Sequence, residues 1–359
     1  MEISEAQYVP ILKWRQGEYQ ALLRLKEPVK DAIVPLLIIP PVEFDFEEER
    51  PKKDAHEHVE LFPKRFHAKW GKRKALIDLH STLENASMSD GTAVIKFIFD
   101  GLRTHGCSAI PVVKLSNCAE YLNAAREIFH ADKKGMCVRV SLPELIDSHL
   151  LNSGLSTIAG KFGTDYSAID LVIDLEAPKS FEPYSDFSKA LVSSINRIHN
   201  LRTFRSFAFV ATSIPLAGIK KPGGEVGRHE WHLYKHLVAN NHLLRKPAYG
   251  DYSIETPDFA SIDMRKMRPS GKIVYTSNDV WFVTKGGAFR GNESQMIGHC
   301  RTIISSPHWC GEDYSDGDRR IFDTSRGIEG TGNLSTWKQV GVSHHLTKVV
   351  DQLSKLHAS

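Results

Sequence analysis

The sequence predicts an α/β fold, a (β/α)8 barrel of the TIM type with an elaborated C-terminal βα unit. Three observations predict it. Eight short β-rich apolar runs are each followed by a segment of helical period, at a repeat of roughly 25 to 40 residues. No Gly-rich GxGxxG turn follows the first run, which disfavours the runner-up, a doubly wound open sheet. A tail of about 100 residues lies beyond the eighth unit, too long for one closing helix.

The units follow in order. The first run is YVPILKW (8–14), and Tyr19, Leu22, Leu23 and Leu25 face one side of the next helix. IVPLLII (33–39) precedes an acidic loop, EFDFEEERPKKD, and a helix through His58, Leu61, Phe62 and Phe66. ALIDLH (75–80) precedes Val94, Ile95, Ile98 and Leu102 at helical spacing, and AIPVVKL (109–115) precedes the stripe Tyr121, Leu122, Ala125, Ile128 and Phe129. MCVRVSL (136–142) runs into Pro143, which suits the first turn of a helix. IDLVIDL (169–175) is followed by Leu191, Val192, Ile195 and Ile198; FAFVATS (207–213) by the loop GIKKPGGEVG and a helix with Trp231, Leu233, Tyr234, Leu237 and Val238. The eighth, PAYGDYSI (247–254), is the weakest, because Gly250 and its polar residues lower β-propensity.

Residues 1–255 are thus read as the barrel body. Residues 256–359 add a hairpin (272–283, turn Ser277-Asn278-Asp279), a helix at 293–305, a Gly- and Asp-rich stretch and a last helix at 342–356, covering one barrel face within the same domain.

Of the 359 residues 41% are hydrophobic and 25% charged, a globular composition. The longest apolar stretch, 33–42, falls well short of the roughly 20 residues of a membrane span, and the start MEISEAQYVP lacks the regions of a signal peptide. The five cysteines form no CxxC pair. A reducing cytoplasm is the expected location. The net charge of +3 decides nothing about partners.

Charged and polar residues gather at the C-terminal strand ends, where barrels of this kind carry their chemistry. These are Lys13 and Arg15, Asp78 and His80, Lys114, Arg139, Asp174 and Glu176, then Ser213 and Asp251. Parity with apolar neighbours, Leu76 with Asp78 and Val172 with Asp174, turns the charges inward. Such a ring survives only if its members pair or a ligand shares the site. The plainer reading is a neutralising layer of Lys13, Lys114 and Arg139 against Asp78, Asp174 and Glu176. As an active site, Asp78, His80, Asp174 and Glu176 would hold a divalent cation while the cations grip a phosphate, for metal-assisted hydrolysis of a nucleotide or nucleic-acid substrate. A Schiff-base lysine, Lys114 or Lys13, is the alternative.

Smaller signals are weaker. His299-Cys300 and His308-Trp309-Cys310 match no zinc spacing. KKPGGEVGRHEW lacks the GKS/T ending of a phosphate loop and reads as a mobile barrel loop. The runs Lys64-Arg65 and Lys72-Arg73-Lys74 read as solvated helix ends.

The closing stretch, with Gly317-Asp318-Arg319-Arg320-Ile321, Gly330 and Gly332, Ser335-Thr336-Trp337-Lys338 and Ser343-His344-His345-Leu346, resembles the signature of the Beta protein family. The opening YVPILKWRQGEYQAL and the segment IIPPVEFD resemble the same family. The resemblance implies a gene of phages, phage satellites and bacterial defence islands, in anti-phage cassettes where a Beta protein restrains a toxic partner called Gop. It carries over no catalytic role to particular residues, and the partner is expected to be a protein encoded nearby. In the tail, His345 has two readings, folding over the mouth towards Asp174 and Glu176, or capping a tail anchored by Trp337; the second is preferred.

Overall fold

The computed structural model describes residues 2–259 and 268–358. Eight parallel strands stand in ring order: β1 (Ile11–Lys13), β2 (Leu36–Ile39), β3 (Ala75–Leu79), β4 (Ala109–Val113), β5 (Met136–Ser141), β6 (Ile169–Asp174), β7 (Ser206–Val210) and β8 (Ala248–Gly250). The Val9 N–H donates to the Tyr249 carbonyl at 2.8 Å and the Ile11 N–H to the Asp251 carbonyl at 2.7 Å. These bonds join β8 to β1, so the edges that an open sheet exposes are removed. The protein is a (β/α)8 barrel. Seven strands fall within their apolar runs, trimmed at the ends, and β7 starts one residue before its run, at Ser206; β8 is cut to three residues.

Alternation along the strands separates two apolar layers. Ile11, Leu36, Ile38, Leu76, Ile110, Val112, Cys137, Val172, Ala208 and Val210 fill the barrel interior. Leu37, Ile77, Val138, Leu171, Phe207 and Phe209 point outward into the layer beneath the helices. In helix Val94–Thr104 the residues Val94, Ile95, Ile98, Phe99 and Leu102 are buried, the stripe that its spacing demands.

The tail is more ordered than its composition suggests. Strands Ser270–Thr276 and Val280–Ala288 form the expected hairpin, and Gly223–Gly227 adds a third strand, so the KKPGG segment is not a plain loop. Gly223 makes this possible: at φ 107° it lies so close to Val283 that a Cβ would sit 1.9 Å from the Val283 carbonyl oxygen. The Gly- and Asp-rich stretch holds helix Asp316–Arg326, started by the Ser315 side chain accepting from the Asp318 N–H. The last helix begins earlier than expected and spans Leu334–Ala358. Its Val342, Leu346, Val349 and Leu353 join the main core, while Trp337 and Val340 join a smaller one with Ile273, Tyr275, Met296 and Ile321. Among the described residues, no helix is long and apolar enough to cross a membrane.

Candidate site at the barrel mouth

Strand parity brings Asp78 (β3), Arg139 (β5) and Asp174 (β6) together inside the barrel at its C-terminal end, with Lys114 just beyond β4. Asp78 and Asp174 are only 1% and 2% exposed. Arg139 bridges them: its Nε donates to Asp174 at 2.9 Å and one terminal nitrogen to Asp78 at 2.6 Å. Lys114 lies 3.1 Å from Asp78 and 3.0 Å from Glu84. Tyr252 donates to Asp174 at 2.6 Å and accepts from Arg139 at 2.7 Å. Burial weighs against the Arg139 charge, but Tyr252, Asp174 and Asp78 outweigh it and raise its pKa further. This half of the mouth is a neutralised, hydrogen-bonded layer.

Lys13, at the end of β1, joins a second cluster instead. It lies 3.5 Å from Glu255 and donates to the Asp258 carbonyl, and Phe259 covers it with its ring centroid 4.6 Å away. Lys338, from the first turn of the last helix, pairs with the same Glu255. Burial, with Arg15 nearby, lowers Lys13 to about 8 although Glu18 opposes the shift; burial likewise lowers Lys338 to about 8 and raises Glu18 to about 7.

The other expected residues divide. Glu176 stands at the rim in left-handed backbone, φ 55°, its N–H donating to Asp174 at 2.8 Å. With Lys114, Arg139, Asp174, Ser116 and Ser141 it lines a pocket of about 250 Å3. His80 turns away from Asp78, bonding Thr82 at 3.0 Å and meeting Phe259 edge to face. Arg15 is exposed, its guanidinium 5.8 Å from the Phe259 ring.

Ser213, Asp251, Trp337 and His345 lie outside this charge layer. Asp251 shares parity with the outward Tyr249, not with the inward Ala248 and Tyr252. It meets His345 on the outer side of the barrel, so His345 does not reach Asp174 or Glu176. Ser213, one residue past the inward parity, accepts from the His229 N–H at 3.0 Å and donates to Glu230, fixing the start of helix His229–Val238. Trp337 is buried, its indole donating to the Thr331 carbonyl at 2.9 Å.

Sequence reasoning missed the opposite end of the barrel. Asp170, at the start of β6, accepts from Arg205 at 2.9 and 2.7 Å and lies 3.1 Å from Lys74. Its parity with Val172 and Asp174 was the available signal. Ion pairs therefore close the interior at both ends.

Among the described residues, no three His, Cys, Asp or Glu side chains are grouped to hold a metal ion. The carboxylates that a cation would need, Asp78 and Asp174, are occupied by Arg139 and Lys114. His308 bonds Ser277 and Glu225, each at 2.9 Å, tying the tail sheet together, and all five cysteines are free thiols.

A closed eight-stranded barrel whose mouth carries paired charges beside a small pocket, with a helical tail alongside, defines a TIM-type barrel protein. The chain belongs to the Beta protein family, whose model matches residues 8–351. No curated protein matches it. Among solved structures it is similar to 3-dehydroquinate dehydratase from Enterococcus faecalis, at 12% identity over 70% of this chain and 90% of that one, with a TM-score of 0.36. It is also similar to triosephosphate isomerase from Bartonella henselae, at 11% identity over 68% of this chain and 92% of that one, with a TM-score of 0.32.

Proposed function

We propose that this protein is a regulatory binding component of a phage- or prophage-encoded anti-phage cassette, a cytoplasmic barrel that restrains a toxic protein partner encoded beside it. Membership of the Beta protein family supports the setting. The observation that carries the non-catalytic role is the mouth: Arg139 is committed to Asp174 and Asp78, and Lys114 to Asp78 and Glu84, so the charges needed for catalysis are spent on one another. Co-expression with the neighbouring genes followed by purification tests it. A stable complex with one of their products is expected, and recovery of the barrel alone from a strain making all of them would overturn it.

A hydrolase acting on a phosphate-containing substrate is the second reading. One observation favours it, the pocket of about 250 Å3 beside Lys114 and Arg139, where Glu176 holds a backbone conformation that non-glycine residues seldom adopt. Partial desolvation, then Asp174, raises the Glu176 carboxyl, as a proton donor requires. Turnover of a phosphate ester that disappears in Glu176→Gln would establish it.

A further inference from the structure

A second cavity, of about 310 Å3, opens between the loop after β2 and helix Phe62–Trp70. The two N-terminal segments quoted above for the family resemblance converge on it. Trp14 and Tyr19 come from the first, Pro40 and Val42 from the second, and Phe62 completes the apolar wall. The Trp14 ring centroid lies 5.3 Å from that of Tyr19 and 5.1 Å from that of Phe62. None of this belongs to the ion-pair layer at the mouth.

The polar groups of the lining fall into two sets. Lys52 pairs with Glu43 at 2.9 Å, Glu57 completes the capping box of Asp54, and His58 bonds the Pro40 carbonyl at 2.9 Å. The rest are unmet. The Trp14 indole N–H has no acceptor among the described residues and is closed off from solvent, so the cavity does not reach it. At the rim, Lys53 and Arg65 are exposed and have no carboxylate partner among the described residues. An aromatic wall and two unmatched cations at the rim call for a ligand with a flat ring and a dianionic group. The volume lies at the small end of ligand sites, which suits one nucleoside unit better than a dinucleotide.

We propose that this cavity binds a nucleoside phosphate. The base packs along the wall of Trp14, Tyr19 and Phe62, and the phosphate lies between Lys53 and Arg65. The site is independent of the partner interaction proposed above.

Isothermal titration of the full chain with AMP, GMP, CMP and UMP, with the corresponding nucleosides and inorganic phosphate as controls, tests the proposal. One-site saturable binding of at least one nucleotide is expected. The double variant Lys53→Ala/Arg65→Ala, two surface changes that leave the fold intact, weakens it by roughly tenfold or more, and removing the phosphate from the ligand has the same effect. Absence of saturation by all four nucleotides at millimolar concentration would overturn the proposal. So would equal affinity in the double variant, or inorganic phosphate binding as tightly as the nucleotide.

Discussion

His345 and Asp251, 94 residues apart, form a buried pair that ties the last helix to the end of β8: the imidazole Nε2 lies 3.0 and 3.1 Å from the two carboxylate oxygens. Asp251 also accepts from the Tyr8 and Tyr249 hydroxyls and from the Ser253 N–H. Burial lowers the His345 pKa although Asp251 opposes the shift, so the ring is neutral at pH 7. Nε2 then carries the proton towards Asp251, and Nδ1 accepts from the Thr276 hydroxyl at 2.9 Å. Trp281 stacks on the ring with centroids 5.1 Å apart.

Removing the imidazole takes one of several donors from a buried carboxylate. His345→Ala is therefore expected to destabilise the protein by about 1–3 kcal/mol, and His345→Gln, which retains one donor, by less. Urea denaturation followed by circular dichroism measures both.

Acid should loosen the same joint. The folded His345 binds a proton less readily than the unfolded one, so the unfolded state takes up more protons below about pH 6.5 and stability falls as pH drops through that window. For Asp251, burial pushes the carboxyl up, but His345, Tyr8 and Arg228 more than offset it and leave it below the usual range. Its contribution is present above about pH 4 and is lost below that. The melting temperature should decline from pH 7.5 to pH 5, and His345→Gln should flatten that decline. An unchanged slope in the variant would count against it.

Asp170 is held low in a similar way, burial raising its carboxyl while Arg205 and Lys74 more than reverse this. Asp170→Asn leaves two cations around an amide and is expected to cost about 3–5 kcal/mol. Thermal melts of the variant check it.

Gly317 marks the closest approach of helix Asp316–Arg326 to the last helix: a Cβ there would lie 2.3 Å from the Val340 carbonyl oxygen. Gly317→Ala must push the two helices apart and should cost about 1–3 kcal/mol. A calorimetric scan would show the loss, whereas Gly330→Ala, with open space around it, serves as a neutral control.

The barrel was legible because eight apolar runs and their helical followers carry periods that only a few folds satisfy. Parity placed Asp78, Arg139 and Asp174 correctly, since each lies within or directly beside a regular strand. It failed for Asp251 and Ser213, which sit just past the short ends of β8 and β7. The strand Gly223–Gly227 was hidden because glycines read as loop, yet Gly223 is what admits the close pairing with Val283. Helix Asp316–Arg326 was hidden by the Gly- and Asp-rich composition around it, although its acidic first turn favours a helix N-terminus through the peptide dipoles. No local pattern announces a partner such as Glu255 for Lys13, because the two residues are brought together only by closure of the barrel.

The central claim is that the mouth is structural and the barrel works by holding a partner. Cell growth during co-expression with the toxic partner proposed above, comparing the wild type with Lys114→Met and Glu176→Gln after both variants are shown to be folded, tests it most directly. The account predicts that both variants restore growth and copurify with the partner as the wild type does. Loss of protection by either folded variant, with partner binding unchanged, would contradict it.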